Sequence, residues 1–440
     1  MTFDELQLNP RLLDGLEAMN FKQATPIQEK TIPIVMEGRD LLACAQTGTG
    51  KTAAYLLPIL NILCEGKLPE NKINALIMVP TRELAQQIDR QLEAFAYFVP
   101  VSSVAVYGGG DGQLFGQQQR AMQKGVDVVI ATPGRLIALI NMGHIDLSAI
   151  SFFILDEADR MLDMGFVDDI MRISTYLPAP GKRQTLLFSA TMAPKIEQLA
   201  QKVLRDPASV KLSTSKPADK IDQSAYICYE PQKLELIKGI LQSANPEKVI
   251  VFSSSKQKVK DMYKTFRSLK VRVAAMHSDL EQKERDEVIR NFKNGHIQVL
   301  VATDIVARGI DIEDIDMVIN YDVPHDVEDY VHRVGRTARA NKGGVAITFV
   351  NEKDQYSFGR IEDFIEREVC KKALPEALGA GPAYQPDKKF RGDDRQRHGR
   401  GGAGKGDQGS NRKFRHSKPK RNTDSAGKRP RGGQSNGTQA

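Results

Sequence analysis

Two short runs carry residue types and spacings that fit nucleotide chemistry. Residues 45–52 read Ala45, Gln46, Thr47, Gly48, Thr49, Gly50, Lys51, Thr52, and a second run reads Asp156, Glu157, Ala158, Asp159. Gly48 and Gly50 let the backbone curl until its N–H groups face a polyphosphate. Lys51 reaches the outer phosphates, and Thr52 offers a hydroxyl to magnesium. Ala45 stands where the strict G-x-x-x-x-G-K-[ST] pattern has glycine. Four apolar residues, Phe152 to Leu155, precede the second run and read as a buried strand that delivers Asp156 and Glu157 to its end. A metal-holding acid and a water-orienting acid belong at that place.

Such groups need a rigid scaffold, and the pattern from about 32 to 210 supplies one. Apolar strands are expected at 75–79, 126–130, 152–155 and 185–188, with helices following Lys51, Thr81, Gly134 and Ala193. This alternation argues for a parallel sheet covered on both faces. Residues 211–220 are polar, contain Pro217 and read as a linker. A second strand–helix series runs from 221 to about 370, with strands expected at 249–252, 299–302, 317–320 and 346–349. No internal sequence repeat is visible, yet the two halves could share an architecture. After about Gly379 the chain turns to Gly, Arg, Lys, Asn, Ser and Gln, has little to bury, and is expected to be disordered.

Composition narrows the classes. A chain of 440 residues exceeds one ordinary core, so two domains plus extra segments are expected. No apolar run approaches a membrane span, and the start lacks a basic region followed by an apolar one, so neither a membrane anchor nor a secretory signal is expected. Cys44, Cys64, Cys228 and Cys370 lack CxxC spacing and read as reduced thiols of a cytoplasmic protein. The net charge is +7, but residues 381–440 hold sixteen Lys+Arg against five Asp, so the body ahead of them is slightly acidic. The body must bind any nucleic acid through local patches, while the tail attracts phosphates without regard to sequence. Its Arg-Gly pairs at Arg391, Arg400 and Arg431, with Tyr384, Phe390 and Phe414 interspersed, fit non-specific RNA capture.

Further segments appear in a fixed order. They are Phe21 with Thr25, Pro26, Ile27 and Gln28; the loop 45–52; Pro80, Thr81, Arg82, Glu83 and Leu84; Thr132, Pro133, Gly134 and Arg135; 156–159; Ser189, Ala190 and Thr191; Gln282 with Arg285; Ala302, Thr303 and Asp304; Ala307, Arg308, Gly309 and Asp311; and 332–339, His-Arg-Val-Gly-Arg-Thr-Ala-Arg. Over roughly residues 1–370 the chain resembles the DEAD-box ATP-dependent RNA helicases, and the tail with the run 156–166 makes it most similar to the bacterial RhlE-type subgroup. The resemblance implies two doubly wound parallel-sheet (RecA-like) α/β domains in tandem plus a disordered basic tail. Residues 1–30 would be a Q-motif region, 31–210 the ATP-binding domain, 211–220 the linker, 221–370 the C-terminal helicase domain and 371–440 the tail.

The resemblance also implies roles. Gln28 would read the adenine edge, with Phe3 and Phe21 packing nearby; a carboxamide can pair with both a donor and an acceptor. Lys51 and Thr52 would hold phosphate and Mg2+, Asp156 the metal, and Glu157 the attacking water. Asp159, Ser189 and Thr191 would couple ATP state to domain closure. His332, Arg336 and Arg339 fall at i, i+4 and i+7, so a helix there would put them on one face. The family uses the two arginines as fingers on the transferring phosphoryl group. Asp311 would meet the ribose. Pro80, Thr81, Arg82, Gly108, Gly109, Thr132, Pro133, Gly134 and Arg135 would bind RNA, with Arg285, Thr303 and Asp304 at or supporting the same surface. Asn20 and Ala24 replace the family's usual Gly and Pro, which bears on loop shape; Ala338 replaces its usual Gly and suits a helix better, so little loss of function is expected. Protein partners of the ribosomal, RNA-decay or another kind stay open, with a monomer as the default. Two other readings stay open: a DNA motor with the same two domains, and an RNA clamp whose tail does the annealing.

Overall fold

Among the described residues fourteen strands form two separate sheets, all parallel. In this computed structural model the described residues are 1–45, 48–109, 112–143, 145–212, 221–304, 315–337 and 343–387. Gln46, Thr47, Asp311, Arg339, most of the expected linker and the tail beyond 387 lie outside them. The first sheet contains β1 Leu41–Cys44, β2 Ala75–Met78, β3 Ser103–Val106, β4 Val128–Ala131, β5 Phe152–Leu155, β6 Gln184–Ser189 and β7 Ala208–Lys211, in the order β3-β4-β2-β5-β6-β1-β7. The second contains β8 Ile221–Ile227, β9 Val249–Ser253, β10 Val273–Met276, β11 Val299–Thr303, β12 Met317–Asn320, β13 Gly344–Val350 and β14 Cys370–Lys371, in the order β10-β11-β9-β12-β13-β8-β14. Numbered within its own lobe, each sheet has the same topology. The central strands are buried apolar runs because helices cover both faces.

Three helices start at threonines. Thr25, Thr81 and Thr132 are N-cap residues, the Thr81 hydroxyl accepting from Leu84 N, and proline follows at the first helical position after Thr25 and Thr132. The Thr81 hydroxyl satisfies a free amide, and proline has none to lose. The helix expected after Gly134 therefore starts at Pro133.

The matched topology exposes a difference between the lobes. Lys51 opens the helix that follows β1, and Lys233 lies one residue into the helix that follows β8. Asp156 follows β5, and Asp322 stands just past β12. In the second lobe these two are bonded to each other at 3.2 Å, with Lys233 also on Glu230 at 2.8 Å. Asp322 further accepts from Lys258, Ser253 and Ser254. The place that could take phosphate is filled by the protein's own charges. Burial alone would raise the Asp322 carboxyl, but Lys233 and Lys258 hold it well below the usual carboxylate range. Lys233→Met should cost about 3 kcal/mol, because it leaves Asp322 buried beside fewer cations. The pKa is depressed in the folded state, so this stabilisation is present above the ordinary Asp pKa and is lost as pH falls below it. Denaturant melts at pH 7 and pH 3 would check both; equal losses at the two pH values would contradict the assignment.

One condition is not met and one expectation changes. The stretch 332–339, whose three residues would share a face if it were helical, is helical only at its start: the helix is Val327–Val334 and stops there. Gly335 takes its C-cap, and Thr337 is drawn into a bridge with Ile315, its hydroxyl donating to Ile315 O at 2.6 Å. Arg336 therefore sits past the helix, not on its face. The basic segment expected from 371 begins later. β14 pairs with β8, and the chain stays bound to the second lobe as far as Gln385. Tyr384 contacts Phe358 edge-on and donates to Glu362, while Gln355 exchanges bonds with Ala383 O and Gln385 N. Tyr384 is a packing residue rather than a tail aromatic.

Candidate nucleotide and RNA site

Strand order decides which loops meet. β6 lies between β1 and β5, so the loop after β6 is flanked by the phosphate loop and by Asp156-Glu157, all at the C-terminal edge where open α/β sheets bind ligands. Gly48 and Gly50 have φ of 81° and 92°, conformations that side chains rarely adopt. A Cβ on Gly50 would also stand 2.4 Å from Gln28 Nε2. The Lys51 ammonium is buried and has no hydrogen-bond partner among the described residues. A buried lone cation is costly, which suits a group whose partner is a phosphate.

Asp156 is buried, with Oδ1 accepting from Glu157 N at 2.8 Å and Oδ2 from the Tyr55 hydroxyl at 2.9 Å. Burial raises its carboxyl to about 6, with Lys51 opposing the rise. Glu157 caps the helix Ala158–Asp163 at φ 49°, a left-handed conformation that few non-glycine residues hold. Burial raises the Glu157 carboxyl, but Arg160, paired to it at 2.9 Å, and Lys51 outweigh this and keep it below its ordinary value. Glu157 is thus a carboxylate able to accept a proton. Asp159 Oδ2 accepts from Ala190 N at 3.0 Å and Thr191 N at 3.1 Å, and Thr191 N also donates to Ser189 Oγ. The loop after β6 is tied to the acidic run, as coupling requires.

Gln28 is buried and braces the loop. Its Oε1 accepts from Thr25 N at 2.9 Å, and its Nε2 donates to Gly50 O at 3.1 Å. One N–H and one lone pair are left over, the two an adenine edge would use. Phe3 is buried, and Phe21 lies between Phe3 and Phe95. Asn20 has φ 61°, and asparagine tolerates that conformation better than most residues, so it can replace glycine there.

The second lobe reaches this place. A cavity of about 420 Å3 is lined by Glu157, Asp159 and Thr191 from the first lobe and by His332 and Arg336 from the second. Burial drives the His332 imidazole down to about 4, against the pull of Asp159 and Glu157, so it is neutral at pH 7.

The expected RNA residues cluster on the neighbouring loops. Arg82 donates to Gly109 O at 3.2 Å, lies 4.9 Å from the Tyr107 ring centre, and pairs across the lobes with Asp286 at 2.9 Å. Gln282 joins this bridge by donating to Glu83 at 3.0 Å. Arg135 donates to Gln118 and stacks on Phe115; Arg285 donates to Ser278 O. Gly108, Gly109 and the starts of the helices at Arg82 and Pro133 offer backbone groups to phosphates. Thr303 ends β11. Asp304 departs from the rest. Both its oxygens are taken by the buried Arg333, at 2.7 and 2.6 Å, so it supports this surface and does not present a carboxylate to RNA. Tyr55, Arg160, Arg333 and Asp286 were not singled out as site residues in the sequence. Only Arg333 carries a local signal, its place within 332–339.

Fold and site together define a two-lobe nucleoside-triphosphate motor. The family profile described as DEAD/DEAH box helicase matches residues 25–199, and that described as helicase conserved C-terminal domain matches 232–341. The chain is 40% identical over 368 residues to the ATP-dependent RNA helicase CshA of Listeria monocytogenes, covering 83% of this chain and 69% of that protein. It is 36% identical over 437 residues to the ATP-dependent RNA helicase RhlB of Aliivibrio fischeri, covering 96% and 98%. Among solved structures, S. cerevisiae Dbp5 bound to RNA and ADP BeF3 is similar with a TM-score of 0.75 at 33% identity, over 84% of this chain and 95% of that one. Mss116p bound to ssRNA and AMP-PNP is similar with a TM-score of 0.75 at 30% identity, over 86% and 81%. The chain belongs to the DEAD/DEAH box helicase family. The four cysteines are unpaired, and no helix among the described residues is long and apolar enough to cross a membrane.

Proposed function

We propose that this chain is an ATP-dependent RNA helicase that couples ATP binding and hydrolysis to local opening of RNA duplexes or remodelling of RNA–protein complexes. The observation that carries the reading is the buried, unpartnered Lys51 ammonium beside Asp156 and Glu157, faced by His332 and Arg336 from the second lobe. Lys51 neutralises the outer phosphates. Thr52 and Asp156 are the residues that would hold Mg2+, which when bound supplies further charge neutralisation at the phosphates. Glu157 orients a water and takes its proton as the water oxygen attacks the terminal phosphorus. The bond to the bridging oxygen breaks, leaving ADP and phosphate. Arg336, and Arg339 from outside the described residues, stabilise the charge that builds on the transferring group.

RNA lies over the Arg82, Gly109, Arg135 and Arg285 surfaces and is held mainly by its backbone, which gives little sequence preference. The bridge from Arg82 and Glu83 to Asp286 and Gln282 links that surface to lobe closure. Adenine specificity at Gln28, ribose contact at Asp311, a cytoplasmic location, RhlE-type affinity and protein partners complete the proposal. Its test is strand separation of a short RNA duplex with and without ATP, for the full chain and for a chain ending at Asp387. That truncation keeps the segment docked through Tyr384, which a cut at 381 would remove. ATP-dependent separation should survive with weaker RNA affinity. Loss of all remodelling in the truncated chain, with RNA-stimulated ATP turnover intact, would favour the clamp reading.

A further inference from the structure

The Tyr55 side chain is fully buried, on the helix turn after Thr52, with its ring centre 5.2 Å from that of Phe188. A phenylalanine would fill that volume equally well, so packing does not call for the hydroxyl. The hydroxyl instead reaches to another element. It donates to Asp156 Oδ2 at 2.9 Å across the gap to β5, and the Thr52 side chain lies beside it, one turn back along its own helix. Oδ1 of the same carboxylate is fixed by the Glu157 amide. Both oxygens are therefore anchored by donors on separate elements, and the buried carboxylate is held in one orientation. Thr52 and Asp156 are the two side chains assigned to magnesium above, and Tyr55 is bonded to the second and lies beside the first.

We infer that Tyr55 is a positioning residue for the metal site, its hydroxyl holding the Asp156 carboxylate in one orientation beside Thr52 so that a divalent cation meets a preformed ligand. The inference rests on the ATP-hydrolysing reading. It differs from a role in nucleotide grip, because Tyr55 is buried beneath the loop and touches none of the groups assigned to phosphate or base. Without the hydroxyl, Asp156 Oδ2 loses its donor, and the carboxylate can rotate away from Thr52.

The test uses the full chain and its Tyr55→Phe variant. Mn2+, which is seen by electron paramagnetic resonance, is titrated into each protein with ADP present. ADP affinity without metal and the thermal midpoint are measured beside it. The variant should bind Mn2+ about tenfold more weakly, or about 1.4 kcal/mol, with metal-free ADP affinity and melting close to wild type. Phe188→Leu, which removes the ring contact but keeps the hydroxyl, should leave Mn2+ affinity unchanged. Equal Mn2+ affinity in wild type and Tyr55→Phe overturns the inference, as does a parallel loss of metal-free ADP binding. A wild-type chain that binds neither ADP nor Mn2+ overturns the ATP-hydrolysing reading itself.

Discussion

Lys51→Ala should reduce RNA-stimulated ATP turnover by roughly a hundred- to a thousandfold while leaving the fold intact. The size follows from what the ammonium does. Charge develops on the oxygens of the transferring phosphoryl group, and a preorganised cation in a dry site is among the strongest stabilisers of that charge; removing one such group costs on the order of a hundred- to a thousandfold. The variant carries an unusual second signature. Lys51 is buried with no hydrogen-bond partner among the described residues, so in the nucleotide-free protein only the longer-range pull of Asp156 and Glu157 offsets its desolvation. Alanine removes that burden, and the thermal midpoint of the variant should equal or exceed that of wild type. Appreciable residual turnover, or a large drop in the midpoint, would show that Lys51 holds the protein together rather than the phosphate. Steady-state turnover and melting curves on the same preparation decide.

Glu157→Gln should separate binding from chemistry. The side chain keeps its shape and the left-handed backbone at φ 49°, but it no longer accepts a proton. General-base loss costs on the order of a hundred- to ten-thousandfold. ATP should still bind, because Lys51, the glycine loop and the Asp156 carboxylate are untouched. RNA should be retained far longer with ATP than without, since closure is reached and hydrolysis does not release it. RNA dissociation rates measured with ATP, with ADP and without nucleotide test this. If ATP leaves the dissociation rate of the variant unchanged, nucleotide state and RNA grip are not coupled through this site.

The two prediction sites were visible in the sequence for a physical reason. Phosphate and metal chemistry demands particular residue types at short spacings, so Gly48, Gly50, Lys51 and Thr52, or Asp156 with Glu157, announce themselves within a few positions. The sheets were legible through apolar runs such as Phe152–Leu155. Groups whose meaning depends on distant partners were hidden. Tyr55 reads as one more apolar-helix residue until β5 brings Asp156 to it. Lys233 and Asp322 lie far apart in the chain, and only the repeated topology reveals them as the filled counterpart of Lys51 and Asp156. Whether Asp304 lies at the RNA surface or supports it is not legible locally, because nothing in the sequence marks Arg333 as its partner. Whether 332–339 is helical is not decided by its residues, which are compatible with a helix; the bridge from Thr337 to Ile315, a tertiary contact, takes the chain out of it after Val334. Tyr384 stands in a polar, glycine-rich stretch, and its partner Glu362 belongs to a helix of the second lobe.

The central claim is an RNA-dependent motor whose catalytic groups are divided between two lobes. ATP turnover by the purified chain, measured alone, with single- and double-stranded RNA and with matched DNA, tests it most directly. Strong stimulation by RNA and little by DNA is the predicted result. Equal stimulation by DNA would contradict the RNA assignment and favour the DNA motor. Turnover independent of any nucleic acid would contradict the coupling between the Arg82 surface and the Lys51 site.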